Sequence, residues 1–317
     1  MKVYVTGGTG FVGSNIAKLY GEFFGLDVVV GGRKPPERAL PGSFSQIDLL
    51  DRDAARKGIV EQAPDLIVHS AIFNDLSGIY ADRQLAWDSY VEATRAVADA
   101  ANELDVPIVF VSTDWVFDGT QAGATESTPP NPVNYYGLLK VAGELVTLER
   151  AHKPIVARIA GVNGMHWARA EGPRTQDAGF GFFVAALVDA LSAGKPFTVW
   201  ESEAINVRAT PSLASESAAM MLRLAQAGAY GTFHCVGGES VTRMELAKLA
   251  AEVFELDAGL LRSGPPEAGG VPPAPVPYDT SLDARATAAA IGYELPTVRQ
   301  LLTTFRRQRE TGEVQPV

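Results

Sequence analysis

Seven residues near the start of the chain narrow its possible folds more than any others: Gly7-Gly8-Thr9-Gly10-Phe11-Val12-Gly13. They follow a short apolar segment, Lys2–Thr6, and open a helical pattern with Phe11, Val12, Ile16, Leu19 and Phe23 on its apolar positions. Gly7, Gly10 and Gly13 form a G-x-x-G-x-x-G pattern. Glycine serves a sharp strand-to-helix turn, a close approach of backbone to a pyrophosphate, and tight helix–strand packing. The anion then rests on free N–H groups at the helix N-terminus. Alone, such a pattern also makes a plain turn. At the first strand–helix junction of an alternating chain it reads as a dinucleotide-binding loop, with Gly7, Thr9, Gly10, Phe11, Val12 and Gly13 against the cofactor.

The alternation continues downstream. Asp27–Val30, Asp65–His69, Pro107–Val111 and Pro154–Ile159 are strand-like and mostly apolar, while Leu49–Val60, Asp82–Leu104 and Asn134–Arg150 read as helices. Apolar strands separated by helices imply a parallel sheet covered on both faces. The expected fold class is α/β, a doubly wound parallel (Rossmann) sheet with a smaller C-terminal substrate-binding domain. Residues 1–164 are assigned to the first domain, with a returning segment at about 205–236 that carries a strand at Thr232–Val236. Residues 165–204 and 237–317 are assigned to the second. There, Met165–Gly181 reads as a long loop, Phe182–Leu191 as a helix, and Thr242 with Glu245 as a capping box. Ser263–Pro277 is too rich in proline for helix, and a last helix is expected from about Thr297.

Composition removes several classes of function. The formal charge is −10 and no basic run occurs, so nucleic acid is an unsuitable partner. Cys235 is the only cysteine, which rules out an intrachain disulfide and a multi-cysteine zinc site, and the four histidines show no H-E-x-x-H spacing. No metal site is expected. No apolar run approaches the ~20 residues of a membrane span, and no stretch has the character of a signal peptide, so the expected location is cytoplasmic. Without a G-x-S-x-G elbow, serine hydrolase chemistry is a poor fit.

The end of the second strand bears on cofactor choice. An acid there would bond the adenosine ribose and repel a 2′-phosphate. This chain instead has Val30-Gly31-Gly32-Arg33-Lys34, and a guanidinium suits a phosphate. NADP(H) is therefore favoured over NAD(H), against the plainer reading of Arg33 and Lys34 as solvated charges. Asp48, with Leu49 beside it, is placed either near the adenine or as a helix cap. Ser70 and Ala71, after the fourth strand, complete the candidate cofactor contacts together with Tyr136 and Lys140.

Tyr136 and Lys140 stand at i and i+4 on one helix face. A free phenol has a pKa of about 10, and a neighbouring ammonium would favour the phenolate. Lys140 is expected to supply that charge and to hold the nicotinamide ribose. Upstream, Val111-Ser112-Thr113-Asp114-Trp115-Val116-Phe117-Asp118-Gly119 ends a strand, where Thr113 can meet a substrate carbonyl. Spaced Tyr and Lys alone are a common accident, and Ser-Thr alone is a common turn.

Taken together, the glycine loop, the Ser112-Thr113-Asp114 segment and Tyr136-Gly137-x-x-Lys140-x-x-Gly143-Glu144 resemble the extended short-chain dehydrogenase/reductase superfamily. The run Ser112–Gly119 is especially similar to the dTDP-4-dehydrorhamnose reductase branch, and Arg158–Gly164 and Pro277–Asp283 also fit it. The resemblance covers nearly the whole chain. It implies hydride delivery from NADPH to the 4-keto carbon of a nucleoside-diphosphate sugar. Tyr136 would be the acid, Lys140 its assistant and Thr113 the group orienting the carbonyl. It also implies substrate contacts from Asp114, Trp115 and Arg208, with Arg174 a weaker candidate, and a homodimer as a possible assembly.

Departures from the branch matter too. Family dehydratases carry Thr-Asp-Glu where this chain has Thr113-Asp114-Trp115, and tryptophan cannot abstract a C5 proton. The epimerase–reductases of GDP-sugars place a cysteine in the Ser/Thr segment, whereas Cys235 lies elsewhere. The usual Asn-Ala-Ala turn is here His69-Ser70-Ala71, with His69 read as a core histidine. Tyr90 and Trp115 replace the usual asparagine and tyrosine, and His166-Trp167-Ala168-Arg169 is unlike the norm. Two alternatives stay open: a nucleotide-sugar epimerase, and a non-catalytic NADP-binding subunit like the regulatory β subunit of methionine adenosyltransferase.

Overall fold

The computed structural model describes residues 1–73, 75–170, 175–272 and 274–317. The first part contains β1 (Lys2–Thr6), α1 (Phe11–Lys18), β2 (Asp27–Gly32), β3 (Ser43–Gln46), α2 (Arg52–Glu61), β4 (Leu66–His69), α3 (Leu76–Ala81), α4 (Arg83–Trp87), α5 (Ala93–Leu104), β5 (Ile108–Thr113), α6 (Tyr135–Arg150) and β6 (Pro154–Ile159). Then follow β7 (Val162–Asn163), α7 (Phe183–Ser192), β8 (Phe197–Trp200), β9 (Arg208–Ala209), β10 (Ser212–Leu213), α8 (Ala214–Ala227) and β11 (Gly231–His234). The chain ends with β12 (Val241–Thr242), α9 (Arg243–Val253), β13 (Leu261–Gly264), β14 (Asp279–Thr280), α10 (Arg285–Ile291) and α11 (Val298–Thr311).

Strands in the order β11-β6-β5-β4-β1-β2-β3 form a seven-stranded sheet, every pair parallel. Side chains alternate between its faces. Val3 and Val5 join Ile16, Tyr20, Met220 and Met221 under α1 and α8. Tyr4 and Ile67 join Ile59, Val97 and Ala101 under α2 and α5. Both faces are thus covered, which is why these strands are almost wholly apolar. α8, to which the sequence analysis assigns no helix, is anchored by the Tyr20 hydroxyl donating to the Ala218 carbonyl at 2.9 Å.

A second core is built by Phe183, Leu187, Phe197, Leu246, Leu301 and Phe305 from α7, β8, α9 and α11. Short strand pairs brace it: β8 with β13, and β9 with β12 and β14. Capping boxes start α9 at Thr242–Glu245 and α11 at Thr297–Gln300. The His166–Arg169 segment docks on α1: Trp167 Nε1 donates to Asn15 Oδ1 at 3.0 Å, and Lys18 lies over its ring. Among the described residues, no helix is long and apolar enough to cross a membrane, and no His/Cys/Asp/Glu group is placed to hold a metal.

Candidate active site

The parallel register sets Thr6, His69 and Phe110 side by side, so the loops after β1, β4 and β5 open on one edge of the sheet. Gly7 turns away from β1 at φ +65°, and its carbonyl accepts from Gly10 N at 2.9 Å. A Cβ on Gly7 would lie 2.6 Å from the Ala71 Cα, and one on Gly13 would lie 2.2 Å from the Gly7 carbonyl oxygen. No side chain larger than hydrogen fits either position. Gly10 precedes α1 and no side chain caps that helix, so its first N–H groups are available to an anion. This bare N-terminus within a glycine cradle fits the pyrophosphate of a dinucleotide.

Around the cradle, Ser70 Oγ donates to the Thr6 carbonyl at 2.7 Å, fixing the turn that presses Ala71 against Gly7. Thr9 lies beside Gly32 at the end of β2. The Phe11 ring packs edge-on against Phe182 with centroids 5.0 Å apart, while Val12 packs on the core beneath. Arg33 is exposed just past β2, and among the described residues no carboxylate pairs with it. Asp48 is not a helix cap: it accepts from Leu50 N at 3.1 Å, and α2 begins later, capped by Asp51. Leu49 is half-buried against the α2/α5 core.

At the tip of β5, Thr113, Asp114 and Trp115 meet the N-terminal turn of α6. Asn134 caps that helix through Gly137 N at 2.8 Å. The Tyr136 phenol lies beside Thr113. Its ring is held edge-on by Trp115 at 5.9 Å and Tyr90 at 6.1 Å. Trp115 in turn packs on Ala178, Trp200, Ile205 and Val276, an apolar wall supplied by the second half of the chain.

One expectation needs correction. The Lys140 ammonium does not lower the Tyr136 pKa: it donates to the Val111 carbonyl at 2.8 Å, beneath the rings of Phe110 and Tyr90. Burial pushes the phenol up to about 12, and the Asp114 charge adds to that, against the Thr113 hydroxyl beside it. Burial likewise brings Lys140 down to about 7, with Glu144 opposing. Tyr136 is thus a protonated phenol near neutrality, the form a general acid requires.

His69 is a core residue. Its Nδ1 meets Thr6 Oγ1 at 2.7 Å and its Nε2 meets Thr94 Oγ1 at 3.1 Å. Thr94 gives its own proton to the Tyr90 carbonyl, so Nε2 is the protonated nitrogen. Burial, followed by the Lys140 charge, lowers its pKa to about 3 and keeps it neutral.

Asp114 is bonded to neighbouring side chains. It is 5% exposed; Oδ1 accepts from Thr113 Oγ1 at 3.0 Å and Oδ2 from Thr280 Oγ1. Thr280 accepts from Asn206 Nδ2 at 2.6 Å, and the Asn206 carbonyl accepts from the buried Arg243 Nε at 2.7 Å. Arg243 also holds the Asp177 and Gly179 carbonyls, tying the long loop to this network. Asn206 and Arg243 carry no motif, whereas Thr280 lies in the Pro277–Asp283 segment that resembles the branch.

Arg208 stands at the mouth of a cavity of about 600 Å³ shared with Asp279, Ser281 and Arg285. Its guanidinium reaches the Ser240 carbonyl at 3.3 Å and Glu245 at 3.6 Å, a surface pair rather than a bare cation. The candidate Arg174 lies outside the described residues.

Residues 1–310 match the model of the RmlD substrate binding domain family. A curated relative, the probable low-salt glycan biosynthesis reductase Agl14 of Haloferax volcanii, is 28% identical over 96% of this chain and 97% of its own. The mouse (Mus musculus) methionine adenosyltransferase 2 subunit beta is 29% identical over 82% of this chain and 74% of its own. Among solved structures, a hypothetical dTDP-4-dehydrorhamnose reductase from Sulfolobus tokodaii superposes with a TM-score of 0.75 at 26% identity, covering 94% of this chain and 97% of that one. The Bacillus anthracis dTDP-4-dehydrorhamnose reductase, in complex with NADP, gives 0.79 at 21% identity, covering 97% and 99%. With its parallel sheet, glycine cradle and Thr–Tyr–Lys cluster, the chain belongs to the RmlD family, the dTDP-4-dehydrorhamnose reductase branch of the extended short-chain dehydrogenase/reductases.

Proposed function

We propose that the protein is an NADP(H)-dependent reductase of a nucleoside-diphosphate 4-keto-deoxysugar, with NADP(H) preferred to NAD(H). The observation that carries this reading is the half-buried, protonated Tyr136 phenol beside Thr113, on the sheet edge where the glycine cradle also opens. When bound in that cradle, the nicotinamide cofactor supplies the hydride. Tyr136 Oη gives its proton to the carbonyl oxygen as charge develops there, and Thr113 orients that carbonyl. Lys140 anchors the β5 backbone through Val111 and stands one turn beyond the acid. Trp115 and its apolar neighbours keep bulk water from the reacting face. In the same reading the segments 165–204 and 237–317 build the sugar-nucleotide side, and the protein works in the cytoplasm, with a homodimer as a possible assembly.

The test is NADPH oxidation against a panel of nucleoside-diphospho-4-keto sugars, with product stereochemistry read by NMR. Net oxidation supports a reductase. Interconversion of epimers without net oxidation indicates an epimerase, and NADPH binding without turnover of any sugar indicates a regulatory subunit. Two further outcomes are expected. Arg33→Ala weakens NADPH by about 1.5–3 kcal/mol, the worth of a hydrogen bond to a charged group, and leaves NADH affinity almost unchanged; equal losses in isothermal titration would remove Arg33 from the 2′-phosphate. Because Trp115 cannot serve as a base, dTDP-glucose incubated with NAD yields no 4-keto-6-deoxy product by NMR; its appearance would overturn that assignment.

A further inference from the structure

The Thr113 hydroxyl has one proton and two lone pairs. In the structure its proton goes to Asp114 Oδ1 at 3.0 Å, while Trp115 N approaches its oxygen at 3.3 Å and the Tyr136 phenol lies beside it. While Asp114 is a carboxylate, Thr113 therefore has no proton left for a substrate carbonyl. Protonation of Asp114 changes this, and its other contacts say where that proton sits. Asn206 Nδ2 occupies the Thr280 oxygen, and the Thr280 proton points at Oδ2. The acid proton then belongs on Oδ1, facing Thr113.

We propose that Asp114, held by Thr280 and Asn206, is a positioning residue whose protonation sets the direction of the Thr113 hydroxyl. The carboxylate captures the Thr113 proton; the neutral acid donates to Thr113 and frees the Thr113 O–H for the carbonyl oxygen. Tyr136 gives its own proton to that same oxygen. This rests on the reductase reading and adds to it a relay reaching from the active site to β14 and the β9 approach.

The surroundings suit such a group. Burial lifts the Asp114 carboxyl to about 6, against the donations from Thr280, Thr113 and the backbone. From α6 it faces Tyr136, which stays protonated, while Lys140 one turn on points to Val111. From β14, Asp279 is turned to Ser281, and from β9, Arg208 is turned to Ser240 and Glu245. Arg243 holds the backbone on either side of the relay.

Infrared difference spectroscopy of the full-length protein without substrate tests the relay directly. A protonated-carboxyl C=O band should disappear with a midpoint near pH 6 and be missing from Asp114→Asn. Thr280→Val removes a donation to the carboxylate and should move that midpoint upward, and Thr280→Ser should restore it. In the wild type, kcat for reduction should fall about tenfold per pH unit above the midpoint, as expected for loss of one essential proton. Asp114→Asn should lack this limb. An absent band, or a midpoint the same in Thr280→Val and Thr280→Ser, would overturn the relay. If no keto sugar is turned over, the reductase reading fails while the infrared titration still decides the relay.

Discussion

Tyr136→Phe lowers kcat for 4-keto-sugar reduction by about 10²–10⁴-fold, the usual worth of a positioned general acid, and leaves NADPH affinity nearly unchanged. Phenylalanine retains the ring that Trp115 and Tyr90 hold edge-on, so the wall of the site stays packed. What disappears is the hydroxyl beside Thr113, with its proton. The burial that raises this phenol to about 12 also fixes its role: it holds its proton across the neutral range and releases it only to an oxygen becoming an alkoxide. Steady-state rates with a 4-keto sugar, paired with NADPH fluorescence titration, separate the two effects. Wild-type turnover in this variant would remove Tyr136 from the chemistry.

The second large effect concerns stability. Arg158 on β6 and Glu144 on α6 form a two-pronged pair, with Nε–Oε1 at 2.8 Å and Nη2–Oε2 at 2.7 Å, each side chain 3% exposed. Ser112 on β5 donates to the same Glu144 oxygen, so the pair binds helix, two strands and the residue next to Thr113. Arg158→Met leaves a carboxylate in the core with Ser112 as its remaining side-chain donor, at an expected cost of about 3–5 kcal/mol. The guanidinium also covers the Phe117 ring at 5.1 Å, and that contact is lost too. Adding Glu144→Leu removes the stranded charge and should recover most of the loss. Urea unfolding with unchanged m-values measures both. A single-variant loss below about 1 kcal/mol, the range of an exposed pair, would mean water reaches the carboxylate.

Much of the molecule could be read locally. The glycine spacing, the alternation of apolar strands with helices, the capping box at Thr242 and the helix start at Thr297 each express a backbone requirement satisfied within a few residues. Tyr136 and Lys140 share a helix face for the same reason. The strand pairs β8–β13 and β9–β14 escaped notice because two to four residues are too few to show a period. Asp48 stays open between the adenine and a cap in the sequence because a turn and a cap use the same side-chain acceptor chemistry.

Near neighbours along the chain determine its α/β class, its nucleotide cradle and the presence of a phenol and a hydroxyl at one strand edge, since these follow from turn, helix and strand geometry. Where the protons lie was decided by contacts between distant segments. Lys140 aims at Val111 rather than at Tyr136, and Asp114 meets Thr280 across 166 positions. A single sequence encodes such pairings only through the folded whole, because burial and hydrogen-bond direction belong to a side chain's surroundings and not to its identity.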